Sequence, residues 1–366
     1  MSGVWGKNIV ISIFGESHGR SIGITMNGIP AGLTLDLKLI NKELQRRSPG
    51  GKDFSSERNE EDDFEILSGY FNNKTTGSPL CAIIMNRDNK HKDYKDLRYI
   101  MRPSHADYTG YIKHKGFNDY RGGGHFSGRL TAPLVLAGAI AKQLLMKKNI
   151  FIGSHIKSIL NVEDDSFDEL NVELELLKEL YIKDFPVLDE NQGKKMKEII
   201  STAKKESDSV GGIIETAIIN LPPGMGEPFF DSIESRLSQM MFSIPAVKAI
   251  EFGRGFDITK IKGSQAKDEY IIEKGQIKTL ANNNGGILGG ISNGMPIIFN
   301  IAIKPTPSIG QKQRTIDMGK MQETSLQIQG RHDPCILPRA IPVVEAGAAL
   351  VILDLLIEKE GKAWMS

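Results

Sequence analysis

The chain has 366 residues, with 46 Lys+Arg against 45 Asp+Glu and hence a net charge of +1. That length allows one large domain or two ordinary ones, and 25% charged and 40% hydrophobic residues exclude disorder, collagen and coiled coil as the main content. The even charge balance argues against a protein that gathers nucleic acid over a wide basic surface.

In chain order, β-branched runs bounded by Gly, Pro or Asn predict strands over Asn8–Phe14 and Ser21–Met26. A helix capped by Thr34 follows over Leu35–Arg46, then a strand over Pro79–Met85. Pro133 opens a small-residue helix that runs to Lys147. Residues 155–208 are rich in Lys, Glu and Asp, with Leu170, Leu174, Leu177, Leu180 and Tyr181 at helical spacing. They predict one or two solvated amphipathic helices joined through Asp184–Pro186, an embellishment apart from the chemistry. Strands are then expected at Gly212–Leu221, Ala246–Phe252 and Pro296–Ile303, with a helix over Asp231–Phe242. The polar stretch Lys262–Asn284 runs into Gly285–Gly286 and reads as a mobile surface loop of the kind that acts as a lid. The last helix is expected to begin at Pro342. Its apolar stretch, Ala340–Ile357, contains Glu345 and Asp354 and reads as a buried helix too short and too charged for a membrane span. Strands and helices alternate without a βαβ beat, so the expected fold is α+β with antiparallel sheets in a single domain over residues 1–366.

Cys81 and Cys335 cannot build a disulfide framework or a CxxC knuckle, which fits a reducing cytosol. The N-terminal stretch lacks a positively charged start followed by a cleavage site, so a cytoplasmic location is expected.

Arginine is the minority cation, 14 residues against 32 Lys, yet half of the arginines fall in four Gly-, His- or Asp-containing segments. These are RRSPGG (Arg46, Arg47), RPSHADYTG (Arg102), DYRGGGHFSGR (Arg121, Arg129) and GRHDPCILPR (Arg331, Arg339). A planar guanidinium grips carboxylate and phosphate bidentately, and glycine lets backbone N–H groups approach an oxyanion, so the pattern points to a small, multiply charged anion. Gly122–Gly124 and Gly285–Gly290 are the two candidate cradles, although such a cluster taken alone is more often a tight turn or a close helix contact than a ligand cradle. Neither matches a P-loop or a dinucleotide-binding fingerprint. His18, His105, His125 and His332 lie in or beside these segments, with Asp107 and Asp333 near enough in sequence to orient an imidazole for acid–base work.

Gly15–Gly19 (GESHG) also fits the G-x-S-x-G nucleophile elbow, which would make Ser17 a hydrolase nucleophile, but too few residues precede it for the βα units an elbow needs. H-x-D pairs occur at His91–Asp93 and His105–Asp107 with no HExxH or Cys/His cluster around them, so no metal is expected.

Taken together, FGESHG (Phe14–Gly19), RRSPGG (Arg46–Gly51), TTGSP (Thr75–Pro79), RPSHADYTG (Arg102–Gly110), DYRGGG (Asp119–Gly124), GGILGGISNG (Gly285–Gly294), KPTPSI (Lys304–Ile309) and GRHDPC (Gly330–Cys335) make the chain resemble the chorismate synthase family over nearly its whole length. The resemblance implies a lyase that performs a 1,4-anti elimination of phosphate from 5-enolpyruvylshikimate 3-phosphate, giving chorismate in the shikimate pathway of aromatic amino acid biosynthesis. It implies dependence on reduced FMN, with NADPH as a candidate flavin reductant. The implied fold is a sandwich of antiparallel sheets around a helical core, assembled as a homotetramer, with no nucleic-acid or membrane partner.

By the same resemblance, His18 would protonate the departing phosphate with Ser17 beside it, His105 would support the anionic flavin, and Asp333 would assist proton removal. Flavin contacts would fall to His125, Phe126, Ser127, Pro245, Ala246, Gly289, Lys304, Pro305, Thr306, Pro307, Ser308 and Arg331, with Lys262–Asn284 as a loop near the flavin, and Arg47 would be an NADPH contact. Arg46, Arg47, Arg102 and Arg129 would take the substrate's anionic groups. Relatives commonly read RSSAR where this chain has His125–Arg129 (HFSGR), Gln or Asn at Pro245, and a third Arg at Ser48.

Overall fold

The computed structural model describes residues 3–49, 62–87, 98–328 and 333–365. Two five-stranded sheets enclose a layer of helices. The first holds β1 (Val4–Trp5), β2 (Val10–Gly15), β3 (Ser21–Asn27), β4 (Phe64–Ser68) and β5 (Leu80–Met85), in the order β1-β2-β3-β5-β4. The second holds β6 (Phe151–Ile159), β7 (Val162–Glu163), β8 (Gly212–Ile219), β9 (Val247–Phe252) and β10 (Ile297–Ile303), in the order β9-β10-β8-β6-β7. Among these strands every pairing is antiparallel, so the α+β expectation and six of the expected strands stand.

The helices are α1 (Leu37–Arg47), α2 (Asp107–Lys113), α3 (Thr131–Lys147), α4 (Leu174–Ile182), α5 (Glu190–Lys205), α6 (Ile233–Ser243) and α7 (Leu337–Glu360). Helix α1 starts later than expected, because the Asp36 carboxylate accepts from the backbone N–H of Lys38 (2.9 Å) and Leu39 (3.1 Å), while Thr34 is drawn into a bridge with Lys74. Helix α7 begins at Leu337, with Pro338 in its first turn, and runs through Pro342 at the loss of one backbone hydrogen bond.

Helix α7, and α3 together with the turn before it (Gly128–Lys147), are long and apolar enough to cross a membrane by length and composition, which corrects the expectation that the last helix is too short; yet the apolar stretch of α7 is buried between the sheets. The two helices touch at Gly138, where an added Cβ would lie 2.2 Å from the Ala346 Cβ and 2.4 Å from its Cα. Gly138→Ala gains up to about 1 kcal/mol of helix propensity but forces two backbones apart in a closed core, a strain of about 1–3 kcal/mol. The net expectation is a lower urea midpoint; an unchanged or raised midpoint would show that the helices can part freely.

Residues 155–208 are more than a solvated embellishment. They begin inside β6, and α4 lies directly on that strand, with Leu177 in contact distance of Gly153. Phe167, Val172, Leu177 and Leu180 cover Ala217, Ile219 and Ile298, so the second sheet is buried on both faces. The stretch 262–284 likewise contains an ordered hairpin, Tyr270–Glu273 paired with Gln276–Thr279. The Asp268 carboxylate closes its base, accepting from both the backbone and side-chain N–H groups of Asn283 and Asn284.

His155 on β6 is fully buried, with Nδ1 3.0 Å from the Asp164 carboxylate and Nε2 2.8 Å from Glu215. Two carboxylates can be satisfied at once only by the doubly protonated ring. Burial pulls its pKa down, but hydrogen bonds and charge from Asp164 and Glu215 outweigh burial and raise it above the usual value of about 6.5. Asp164 also accepts from the N–H of Leu188 (2.6 Å) and Asp189 (2.8 Å), and Glu215 from that of Phe167, so the imidazolium pins this segment to the sheet. A raised folded-state pKa gives stability that is complete below about pH 6.5 and fades as pH rises through the folded value. The advantage of wild type over His155→Gln in urea midpoint should therefore shrink above neutral pH. An advantage constant from pH 6 to 9 would mean that folding does not raise the pKa of this ring.

Candidate functional site

The GESHG segment forms the hairpin turn between antiparallel β2 and β3, with β3 pairing back from Ser21. A nucleophile elbow needs a strand followed by a helix, so the hydrolase alternative fails on local geometry. Two elements clamp the turn. The Asn86 side-chain amide donates to the carbonyls of Glu16 and Gly19, each at 3.0 Å. On the other side, the Ser17 N–H donates to the Gly124 carbonyl (3.1 Å), and His125 Nδ1–H donates to the Gly15 carbonyl (2.8 Å).

The glycine run explains why no other residue serves there. Gly122, Gly123 and Gly124 have φ of 59°, 88° and 54°, in the left-handed region that glycine enters at little cost. A Cβ on Gly122 would sit 2.4 Å from Cε1 and 2.5 Å from Nδ1 of His18, and one on Gly123 would lie 3.6 Å from Nη2 of Arg102. Three segments distant in sequence thus meet at one imidazole and one guanidinium.

Arg102 is held by Asp107, the first residue of α2, through Nε (2.7 Å), Nη2 (2.8 Å) and its own backbone N–H (3.0 Å). Burial would raise the Asp107 carboxyl, but the Arg102 contacts outweigh it and hold it below the usual carboxylate range. Next along the chain, His105 Nε2 is 2.8 Å from the Ser308 hydroxyl, and the Lys304 ammonium donates to the Ser104 carbonyl at 2.8 Å. The Lys304 N–H donates to the carbonyl of Ala246, which has φ 75°. Thr306 accepts from the Ser209 hydroxyl, and the neighbouring Val210 N–H donates to the Pro334 carbonyl, bringing the 304–308 and 333–334 segments together.

A second arginine group adjoins the first. The Asp62 carboxylate accepts from Nε (3.2 Å) and Nη2 (2.7 Å) of Arg47 through one oxygen and from Arg129 through the other. Burial would raise the Asp62 carboxyl, and the two guanidiniums overcome that and lower it. Arg129 Nε reaches the Asn86 side chain (3.3 Å), the same residue that holds the GESHG turn. Arg339 donates from Nε to the Arg47 carbonyl (3.0 Å) and from Nη1 to Asp333.

Contacts thus join His18 to Arg102 through Gly122–Gly123, the GESHG turn to Arg129, Asp62 and Arg47 through Asn86, Arg47 to Asp333 through Arg339, and the segment after Arg102 to Ser308, Lys304 and Ala246. His125 braces the GESHG turn, Ser127 caps the short helical turn that leads into α3, and Phe126 is half-exposed over Gly110. Arg46 is a correction: it points into a separate buried cluster, bidentate to Glu345 (2.7 and 3.2 Å) and bonded to Glu43 (3.0 Å), with Lys142 between the same two carboxylates. Adjacent helical residues project about 100° apart, so Arg46 and Arg47 face different surroundings. Gly289 lies on the tight turn between Ile287–Leu288 and Ile291–Ser292, and the next residue, Gly290, packs on Ser232. Arg331, His332 and His91–Asp93 lie outside the described residues. Asp62 and Asn86 were not singled out from sequence; their part lies in pairing with residues far along the chain.

Chemically, the forks of Arg102 and Arg129 with the glycine backbone suit a small polyanion, and His18 supplies a proton donor against that backbone. Beside them opens a cleft lined by Arg102, Asp107, Tyr111, Asp119, Gly123 and Phe126.

A family model for chorismate synthase matches residues 9–357. Similar proteins include the chorismate synthase of Thermococcus kodakarensis, 44% identical over 360 residues and 98% of both chains. That of Dehalococcoides mccartyi is 44% identical over 355 residues, covering 97% of this chain and 96% of the other. A crystal structure of chorismate synthase superposes with a TM-score of 0.78 at 32% identity, covering 98% of this chain and 94% of that one.

Proposed function

The chain belongs to the chorismate synthase family, and on that premise we propose that it converts 5-enolpyruvylshikimate 3-phosphate to chorismate and inorganic phosphate in the shikimate pathway, with reduced FMN as cofactor. The observation that carries the reading is the packing of the His18 ring on Gly122 with Arg102 at Gly123, which joins three signature segments in one place.

The substrate carries two carboxylates and a phosphate. In this reading Arg102, Arg129 and Arg47 neutralise and orient those groups, and the positive-φ glycines let backbone amides approach them. His18 donates a proton to the leaving phosphate, with Ser17 beside it. Asp333, gripped by Arg339, accepts the proton released from C6. The residues around His105 suit a flavin: a basic side chain at Lys304, an imidazole hydrogen-bonded to Ser308, a left-handed backbone at Ala246, and the half-exposed ring of Phe126. Pro245, Ala246, Lys304, Pro305, Thr306, Pro307, Ser308, His105 and His125–Ser127 would hold it. When bound, reduced FMN supplies electron density to the substrate as phosphate leaves. NADPH as flavin reductant, a cytoplasmic location and assembly into a homotetramer complete the proposal; the exposed Phe117, Phe229, Phe230 and Phe256 support self-association.

The test is phosphate release under anaerobic conditions with oxidised FMN, with dithionite-reduced FMN, and with NADPH plus FMN. Release is expected only when reduced flavin is present. Equal chorismate formation without flavin would overturn the cofactor assignment, and tight FMN binding without phosphate release would instead identify a flavin-binding relative that has lost catalysis.

A further inference from the structure

Asp62 has no role in the reading above, yet it is among the most enclosed charges in the chain. Its side chain is 2% exposed, against 3% for Arg47 and 9% for Arg129. Its two oxygens serve different arginines, which come from α1 and from the turn before α3. Two buried guanidiniums repel each other unless a carboxylate lies between them, and a bridging carboxylate also fixes their separation and orientation. The bridge continues outward, since Arg129 also bonds Asn86, and Asn86 holds the carbonyls on either side of His18.

We propose that Asp62 is a positioning residue: without touching the substrate, its carboxylate sets Arg47 and Arg129 as one rigid anion seat and keeps Arg129 in register with the His18 turn. This rests on the reading of those arginines as substrate-binding. The opposite role is also chemically definite. If Asp62 only offset positive charge, removing it would leave a more cationic seat and tighter binding of a trianion.

The experiment compares wild type, D62N and D62E by kcat and KM for 5-enolpyruvylshikimate 3-phosphate, by calorimetric Kd for the same compound, and by unliganded Tm. D62N keeps the shape but loses the charge-assisted bridge, for which about a tenfold or greater rise in KM and Kd is expected, with kcat changing less. D62E retains the charge one methylene further out and should recover part of the affinity. KM and Kd unchanged or lowered in D62N would overturn the proposal, as would a fall in Tm with unaltered Kd. Should D62N not fold, D62E alone decides: Kd raised about threefold or more supports the proposal, and wild-type Kd overturns it. Wild type that fails to bind the compound would instead bring down the functional reading, and this proposal with it.

Discussion

Replacing His18 by alanine should slow phosphate release by about 10²–10⁴-fold, the usual contribution of a positioned general acid, while the protein stays folded. The ring lies at the tip of a hairpin turn, held by bonds made by other residues: Asn86 to Glu16 and Gly19, His125 to Gly15, and the Ser17 backbone to Gly124. Removing the imidazole therefore leaves the scaffold of the turn in place. Gly122→Ala should produce a comparable loss by another route, because a methyl group there would fall within 2.5 Å of two ring atoms of His18 and would also meet a φ of 59°. Single-turnover phosphate release with reduced FMN, alongside Tm, separates chemistry from folding. Activity within a factor of two of wild type in His18→Ala would remove the imidazole from the mechanism.

The largest loss of stability is expected from Asp354→Ala. This carboxylate on α7 is fully buried and accepts from the N–H groups of Asn8 (2.7 Å), Ile9 (2.8 Å) and Lys7 (3.3 Å), and from the Arg236 guanidinium. Removing it strands a buried guanidinium and several backbone donors, a penalty of about 3–5 kcal/mol. Asp231 and Glu358 stand 3.6 and 3.7 Å from the other arm of Arg236 and are partly exposed, so they offset little of it. Urea unfolding of the variant tests this. A loss below about 1 kcal/mol would mean that Arg236 escapes to water, contrary to the penalty of leaving a buried charge unpaired.

Much of the architecture was legible because its strands are continuous β-branched runs closed by Gly, Pro or Asn. One of the strands that was missed is instructive. Phe151–Ile159 carries Ser154, His155, Lys157 and Ser158, which resemble a solvated face until Asp164 and Glu215 are brought to the imidazole from elsewhere in the chain. Helix starts were misread where two candidate caps competed: Asp36 makes the capping bonds and Thr34 turns to Lys74.

For the candidate site, clusters of Arg, Gly and His marked segments that the fold brings into contact, because those residue types carry unusual chemistry in unusual density. Which member of a cluster faces the site was not readable. Arg46 and Arg47 are neighbours with different fates, and only their partners, Glu345 and Asp62, separate them. Asp62 and Asn86 lacked any local signature, since an acid or amide in a polar stretch looks the same whether it braces two arginines or faces water.

Helix α7 contributes more than packing. It lies between the two sheets and supplies both Asp354, which ties down the first strands, and Glu345, which anchors α1 and accepts from the Ser154 N–H on β6. A nascent chain that has not yet released residues 337–360 from the ribosome would hold two half-built sheets with their inner faces bare. The two sheets can therefore close on each other only once this helix has emerged.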